Sequence, residues 1–221
     1  MSIRAKDYEK ENGGIIFPNP NAPTGLFMPL DQVEEIVRAN EDVIVIVDEA
    51  YIDFGAWSAM ELTKKYDNLL VVQTFSKSRA MAGMRIGFAA GNPELIRALN
   101  NVKYSYNSYT MSLAAQELGA AALRDRDYFE ETRKKIISTR ERAKKRLREL
   151  GFSFPDSMTN FIFAEHCRAE ARPMFQAMKE AGIYVRYFDK PGLDNRLRIT
   201  IGTEEEMEQL YRFLERYLAD R

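Results

Sequence analysis

Polar and charged side chains follow two neighbouring apolar runs in the first half of the chain. Asp48 comes directly after the run at residues 43–47, and Thr74, Ser76 and Lys77 stand at the end of the next run. Ligands of parallel sheets bind beyond the carboxyl ends of the strands, and a right-handed crossover brings such ends together. We therefore expect Asp48 and Lys77 to face one crevice, where a carboxylate, an amine and two hydroxyl groups form a candidate ligand site.

An arginine between glycines follows eight residues after Lys77. Arg85 lies between Gly83 and Gly87, where the backbone can approach a ligand closely and a guanidinium group suits a phosphate. Lys77 and Arg85 are therefore predicted to serve different ends of one ligand. The segment 19–25, Asn-Pro-Asn-Ala-Pro-Thr-Gly, is rich in turn residues and predicts a connection with fixed dihedral angles.

The elements that must position these residues are predicted from periodicity. Apolar runs at 15–17, 43–47 and 69–72 are continuous, which is typical of strands covered on both faces in parallel sheets. Helical patterns lie between them at 30–40 and 57–66. The first part of the chain is therefore predicted as β-α-β-α-β.

The rest of the chain predicts an α/β protein with a second, smaller unit. The predicted elements are a strand at 86–90, helices at 93–101, 111–123 and 128–150, a strand at 160–164, a helix at 171–181, strands near 183–187 and 197–201, and a helix from Glu204. A Tyr/Asn/Ser loop is expected at 104–110. We predict a large α/β domain over 1–125, a connecting helix over 126–150 and a small α+β domain over 151–221.

The composition excludes several classes of protein. Apolar residues make up 45% and charged residues 29% of the 221, which is typical of an ordered globular chain. Thirty-two basic and 33 acidic residues give a net charge of −1, and hence no overall attraction to nucleic acid or to an anionic membrane. One cysteine and one histidine cannot build a zinc site of four Cys/His ligands. With no signal-peptide pattern and no membrane-spanning run, a cytoplasmic protein is expected.

Two other functional classes share single features with this sequence. Asp48 and Glu49 after an apolar strand also suit the magnesium site of a nucleotide hydrolase, but the Gly-x-x-x-x-Gly-Lys-Ser/Thr loop of that class does not occur in the sequence. The segment 124–148 is rich in basic residues, as a nucleic-acid binder would be. Because the net charge is near zero, we interpret this segment as a solvated helix with mixed charges.

Four segments, in order and spacing, resemble the fold-type I pyridoxal-phosphate aminotransferases, and most closely their histidinol-phosphate branch. They are Asn-Pro-Asn-Ala-Pro-Thr-Gly at 19–25, Asp-Glu-Ala-Tyr at 48–51, Thr-Phe-Ser-Lys-Ser at 74–78 with Ala-Gly-Met-Arg-Ile-Gly at 82–87, and Leu-Arg-Ile-Thr-Ile-Gly at 197–202. The resemblance extends over nearly the whole chain from Gly13. It implies part of the large domain of that fold, followed by its small C-terminal domain.

The resemblance implies three catalytic residues and the cofactor pyridoxal 5'-phosphate. Lys77 would bind the cofactor aldehyde covalently and then move a proton between the substrate and the cofactor. Asp48 would pair with the pyridine nitrogen and keep it protonated. Tyr51 would donate a hydrogen bond to the phenolic oxygen of the cofactor.

The same resemblance implies further cofactor contacts. Ser76 and Arg85, with Thr74 nearby, would bind the cofactor phosphate. Many relatives have asparagine immediately before Pro-Thr-Gly, whereas Ala22 occupies that place here. Asn21 is therefore the residue expected to make the asparagine contact.

Two arginines in the second half are implied to bind substrate. Arg198 would hold the anionic group, and Arg186 matches a second arginine of the histidinol-phosphate branch. Two guanidinium groups suit a phosphate better than one does. The implied reaction exchanges the amino group of L-histidinol phosphate, the amino donor, with the 2-oxo acid 2-oxoglutarate, in histidine biosynthesis.

The chain is also shorter than the family pattern. A family member should have a further stretch before residue 1, so we expect this chain to be the second part of an aminotransferase. The uncovered apolar surface would then favour a homodimer or other self-association. The alternatives are a related aminotransferase, a phospho-amino-acid decarboxylase, or a fragment that folds without turning over substrate.

Overall fold

The computed structural model describes residues 4–219 as two compact units. The first unit comprises residues 4–21 and 27–132, and the second comprises residues 22–26 and 133–219. Each unit contains its own sheet of four strands. Within the described part of the chain, none of the helices combines the length and apolarity that a membrane span requires.

The sheet of the first unit is mostly parallel, as predicted. It has the order β1-β2-β3-β4, with β1 at Ile15–Pro18, β2 at Val45–Asp48, β3 at Leu69–Thr74 and β4 at Gly87–Gly91. The pairs β1–β2 and β2–β3 are parallel, whereas β4 runs antiparallel to β3. The α/β class with flanking helices is thereby confirmed, and the sole antiparallel pair of this sheet places the turn 75–86 at the carboxyl end of β3.

The two faces of this sheet differ in burial. One face presents apolar side chains to α1 (Leu30–Ala39), which buries Val33, Ile36 and Val37 against them. On the other face of β1, Ile16 is 72% exposed. The prediction that β1 is covered on both faces is therefore wrong for the described residues, because α1 packs only on the side of Ile15 and Phe17.

Two predicted elements of the first unit differ from the observed ones. The helix predicted at 57–66 is a 3-10 helix, Ala59–Lys64, begun by the Ser58 hydroxyl, which accepts from the amide of Met60. The loop predicted from residue 104 is helical as far as 106, because α2 runs over Pro93–Tyr106. The helix begins with Asn92 as its N-cap, whose side chain accepts a 2.8 Å hydrogen bond from the Glu94 amide. The next helix, α3, covers Leu113–Arg124.

The second unit is built on an antiparallel sheet of order β5-β6-β8-β7. The strands are β5 at Phe152–Ser153, β6 at Phe161–His166, β7 at Arg186–Tyr187 and β8 at Leu197–Thr200; the helices are α4 at Arg126–Glu149, α5 at Ala171–Glu180 and α6 at Glu204–Ala219. One face of the sheet, with Ile162 and Ile199, packs on Leu147, Met174 and Leu214 of these helices.

The basic helix α4 is not solvated along its whole length. Arg140 and Lys144 are each only 3% exposed. Arg140 donates to the carbonyl of Thr159 over 3.0 Å, and Lys144 pairs with Asp156 over 2.7 Å and with Glu141 over 2.9 Å. The interpretation as a solvated face is therefore wrong at these two positions, where the cations fix the segment that leads into β6.

The single histidine has a structural role in the second unit. His166 is buried, and its Nδ1 accepts from the amides of Arg168 and Ala169 over 3.2 and 3.0 Å. Its Nε2 lies 3.0 Å from the carbonyl of Leu150, so the proton belongs on Nε2. Burial lowers the pKa of His166 from its ordinary 6.5. A second proton would have to bind Nδ1, where two backbone amides already donate hydrogen bonds.

The stability of the second unit should depend on the protonation of His166. Because the folded-state pKa is lowered, the unfolded chain takes up a proton first as the pH falls. Urea unfolding should therefore show a loss of stability as the pH falls from 6.5 through the lowered value. His166→Gln should remove that slope. A slope that persists unchanged in the variant would contradict the assignment.

A side chain at Gly25, in the loop that follows β1, should destabilise the fold. Gly25 has a φ of +77°, and a Cβ atom there would lie 2.6 Å from Oγ of the buried Ser157. We expect Gly25→Ala to lower the free energy of unfolding by about 2 to 4 kcal/mol. Gly83→Ala is the matched control, because its Cβ would meet nothing within 4 Å. Equal effects of the two substitutions in urea unfolding would contradict this prediction.

Candidate active site

Asp48 is the last residue of β2, at the carboxyl end of the parallel sheet. Its register partner on β3 is Val72, two residues before Thr74. The carboxylate is half-buried, and its Oδ1 accepts from the amide of Ala50 over 3.0 Å. Within residues 4–219, Oδ2 accepts no hydrogen bond, so one carboxylate oxygen is available to a ligand.

Lys77 lies in the turn that follows β3. The side chain is exposed, and its Nζ lies 5.4 Å from the centroid of the Tyr51 ring. No carboxylate of the described chain pairs with Lys77. A lysine side chain without a counterion is accessible to a ligand carbonyl, with which its amine can react after the ammonium group has lost a proton.

The hydroxyl groups and Arg85 form a second cluster in the same turn. The hydroxyl oxygens of Thr74 and Ser76 lie 3.0 Å apart, and the amide of Ser76 donates to Thr74 Oγ1 over 3.1 Å. Arg85, in the left-handed region at φ 54°, places its Nη1 3.4 Å from Ser76 Oγ and 2.9 Å from the carbonyl of Ala82. Two hydroxyls and a guanidinium group are groups that can donate hydrogen bonds to an oxyanion.

Five of the sequence-predicted residues line one cavity of about 410 Å³ in the first unit: Asp48, Thr74, Ser76, Lys77 and Arg85. Its size is in the range of small-molecule sites. Tyr51 does not line this cavity, but its ring lies beside the ammonium group of Lys77, which does. Asn21, half-buried in the loop after β1, is outside the lining residues as well.

A buried carboxylate beneath the site was not predicted to have a role there. Glu49 is 1% exposed and accepts from Ser58 Oγ and the Ala59 amide over 2.6 Å and from Gln73 Nε2 over 2.8 Å. Burial raises the pKa of Glu49. The carboxylate ties the ends of β2 and β3 together. The position of Glu49 directly after Asp48 could have indicated this buried role, because neighbouring residues in an extended chain point to opposite faces.

Two further contacts fix the segments that carry the site. Asn19 is fully buried; its amide donates to the carbonyl of Asp48 over 2.9 Å, and its side chain exchanges two hydrogen bonds with the backbone of Met28. Ser78, directly after Lys77, donates to the carboxylate of Asp53. The partners Asp48 and Asp53 could not be identified from spacing, since they lie far from Asn19 and Ser78 in the sequence.

The two arginines predicted to bind substrate lie side by side in the second unit. Arg186 of β7 and Arg198 of β8 are register partners. Their Cζ atoms lie 5.4 and 5.7 Å from the centroid of one ring, that of Phe188. Neither forms an ion pair with an acidic residue in the described chain, and Nε of Arg198 is buried without an acceptor. This unneutralised pair is suited to a ligand anion.

Comparison with known proteins shows similarity over almost the entire chain. Histidinol-phosphate aminotransferase from Brachyspira hyodysenteriae is 54% identical over 209 residues, which are 94% of this chain and 59% of that protein. This chain thus spans about three-fifths of the length of the curated relatives that it matches.

Two of the solved structures that match this chain illustrate the shared fold. The structure of a decarboxylase from Sulfurospirillum multivorans has a TM-score of 0.86 and 26% identity, covering 98% of this chain and 66% of that one. Histidinol-phosphate aminotransferase from Sinorhizobium meliloti, solved in complex with pyridoxal-5'-phosphate, has a TM-score of 0.82 and 28% identity, covering 94% of this chain and 58% of that one.

The chain also matches a sequence pattern shared by a whole protein family. The sequence profile of aminotransferase class I and II matches residues 3–214, a range that includes both sheets and all the candidate residues described above. The fold comparisons and the curated relatives agree with that match. The chain belongs to the aminotransferase class I and II family.

Proposed function

We propose that this chain forms the cofactor-binding and substrate-binding part of a pyridoxal-phosphate-dependent aminotransferase that acts on L-histidinol phosphate and 2-oxoglutarate in histidine biosynthesis. The observation that carries the proposal is the shared cavity of Asp48, Lys77 and Arg85 with the hydroxyls of Thr74 and Ser76. Residues 1–125 would be the partial large domain, 126–150 the connecting helix and 151–221 the small domain.

The donor set of the cavity fits pyridoxal 5'-phosphate. The cofactor has an aldehyde, a basic ring nitrogen and a phosphate. The cavity offers an unpaired amine on Lys77 for the aldehyde and an available oxygen on Asp48 for the ring nitrogen. The cluster of Thr74, Ser76 and Arg85 would hold the phosphate.

Each residue would have a distinct part in the reaction. The bound cofactor supplies an electron sink for the bond broken at the substrate α-carbon. Asp48 would hold a proton on the ring nitrogen, and Lys77 Nζ would take the proton from the α-carbon as general base and return it. Tyr51 and Asn21 would orient the ring through hydrogen bonds to its phenolic oxygen.

The arginine pair supports a phosphorylated substrate. A phosphate monoester carries up to two negative charges near neutral pH, and Arg186 and Arg198 would neutralise them with charge-assisted hydrogen bonds. The substrates would be a small-molecule amino donor and a 2-oxo acid in the cytoplasm. Self-association, as a homodimer, is supported by apolar side chains such as Ile16 and Val102, which are 72% and 66% exposed.

A decarboxylase is the second candidate. The likeness in fold to the Sulfurospirillum decarboxylase favours it, and breaking a bond at the same α-carbon would need the same cavity. Release of carbon dioxide from a phosphorylated amino acid would distinguish it from amino-group transfer. A chain that binds the cofactor and turns over neither substrate would be the non-catalytic fragment.

Lys77 should be the residue that binds pyridoxal phosphate covalently. With the cofactor added, the protein should develop a visible absorbance band, and borohydride reduction followed by peptide mapping should find the label on Lys77. Lys77→Ala should lose both signals. Lys103→Ala is the matched control, because Lys103 also lies 5.4 Å from a tyrosine ring, that of Tyr104. Label spread over several lysines would contradict the proposed cofactor site.

Arg186 should favour phosphorylated substrates. Arg186→Ala should weaken the binding of L-histidinol phosphate about 10- to 100-fold, the usual effect of losing charge-assisted hydrogen bonds, and leave histidinol much less affected. Arg196→Ala is the control, because Arg196 is already paired with Glu165 over 2.5 Å. If Arg186→Ala weakens both ligands alike, the assignment of the phosphate to this arginine is wrong.

A further inference from the structure

One face of the second sheet is made of arginine and aromatic side chains. Side chains alternate along each strand, so the residues that do not face the core of this unit lie together on the opposite side. We call this the aromatic-arginine face; its members are Phe161, Phe163, Arg186, Phe188, Arg196 and Arg198. Across the sheet, Phe163, Arg198 and Arg186 stand in one row of register partners.

The charges on this face are only partly neutralised. Arg196 pairs with Glu165 over 2.5 Å, whereas Arg186 and Arg198 have no acidic partner among residues 4–219. Like charges at directly opposite positions of an antiparallel pair repel each other. A group on this face other than a carboxylate can offset that repulsion.

The ring of Phe188 is the group that both guanidinium groups share. It lies 5.4 Å from Arg186 Cζ and 5.7 Å from Arg198 Cζ, within the range of cation-π attraction. The ring is itself fixed by Phe163, whose centroid lies 6.0 Å away at an interplanar angle of 82°. Since Phe163 is fully buried, the anchor of Phe188 is part of the rigid sheet.

We propose that Phe188 is a positioning residue that holds Arg186 and Arg198 at one ring, so that the two cations bind one dianionic phosphate group together. The inference rests on the proposed function, because it concerns the same anion site. Phe188 acts through the arginines and needs no contact with the phosphate. With the ring removed, Arg198 would keep its contact with the Phe161 ring, 5.0 Å from its Cζ, whereas Arg186 would lose the one ring that it contacts among the described residues. Repulsion would then separate the two guanidinium groups, and the preference for a dianion over a monoanion would fall.

The affinity for inorganic phosphate tests the proposal without any cofactor. Arginine Nε–H resonances of the full chain would be followed by NMR during titration with phosphate, a dianion at mildly alkaline pH, and with formate, a monoanion. Loss of signals in Arg186→Ala and Arg198→Ala gives the assignment. Phosphate should shift both signals with one dissociation constant, and Phe188→Leu should raise that constant about 3- to 10-fold. The constant for formate should change much less.

Further variants separate the effect of the aromatic π face from the effect of side-chain volume. Phe188→Tyr keeps a π face and should bind phosphate as the unsubstituted protein does. Phe175→Leu is the matched control, because Phe175 is also half-buried but stacks on Tyr187, which faces the core of this unit. If Phe188→Leu fails to fold, replacement of the ring by its pentafluoro analogue, which removes the negative π face, should weaken phosphate binding instead.

The outcomes distinguish this inference from the proposed function. If phosphate shifts neither arginine signal in the unsubstituted protein, the anion site is wrong and both proposals fall. If phosphate shifts both signals and Phe188→Leu, or the fluorinated ring, leaves the phosphate constant unchanged, the role of Phe188 is overturned while the anion site stands. Equal weakening of phosphate and formate would also overturn it.

Discussion

The parallel pairing of β2 with β3 is the constraint on which the candidate active site depends. It sets Asp48 opposite Val72, so that the carboxylate and the turn after Thr74 lie at one edge of the sheet. The antiparallel strand β4 then returns the chain beside β3 and brings Arg85 back to the hydroxyl of Ser76. The strand pairing thus brings residues from three segments of the sequence to one cavity.

Buried polar groups keep that edge in place. The Glu49 carboxylate receives three hydrogen bonds from the elements on either side, and Asn19 attaches the end of β1 to both Asp48 and Met28. A buried group of this kind is costly when any partner is lost. The polar side chains that line the candidate site are themselves half-buried or exposed, so that a ligand can reach them. The rigidity of the site therefore comes from the polar residues beneath it.

The anion site that we propose in the second unit has a different electrostatic requirement. A site for a phosphate needs cations that are close together and not neutralised, which is an arrangement that a fold by itself tends to avoid. Here the sheet register brings Arg186 and Arg198 together, while the ring of Phe188 provides attraction without cancelling charge. A carboxylate in that place would stabilise the pair but neutralise the charge that the proposed anion needs.

The sequence by itself determined most strands and helices and the residues of the cavity, because apolar periodicity and the polar residues at strand ends are local signals; the two-residue strand β5 is too short to give such a signal. Asp48, Lys77 and Arg85 were identifiable in this way. The tertiary structure decided what depends on distant partners: the burial of Arg140 and Lys144 in a basic helix, the 3-10 form of 59–64, and the contacts of Glu49 and Phe188. Those side chains acquire their environment only from elements far away in the chain, since burial and hydrogen-bond partners are set by packing and not by neighbours in sequence.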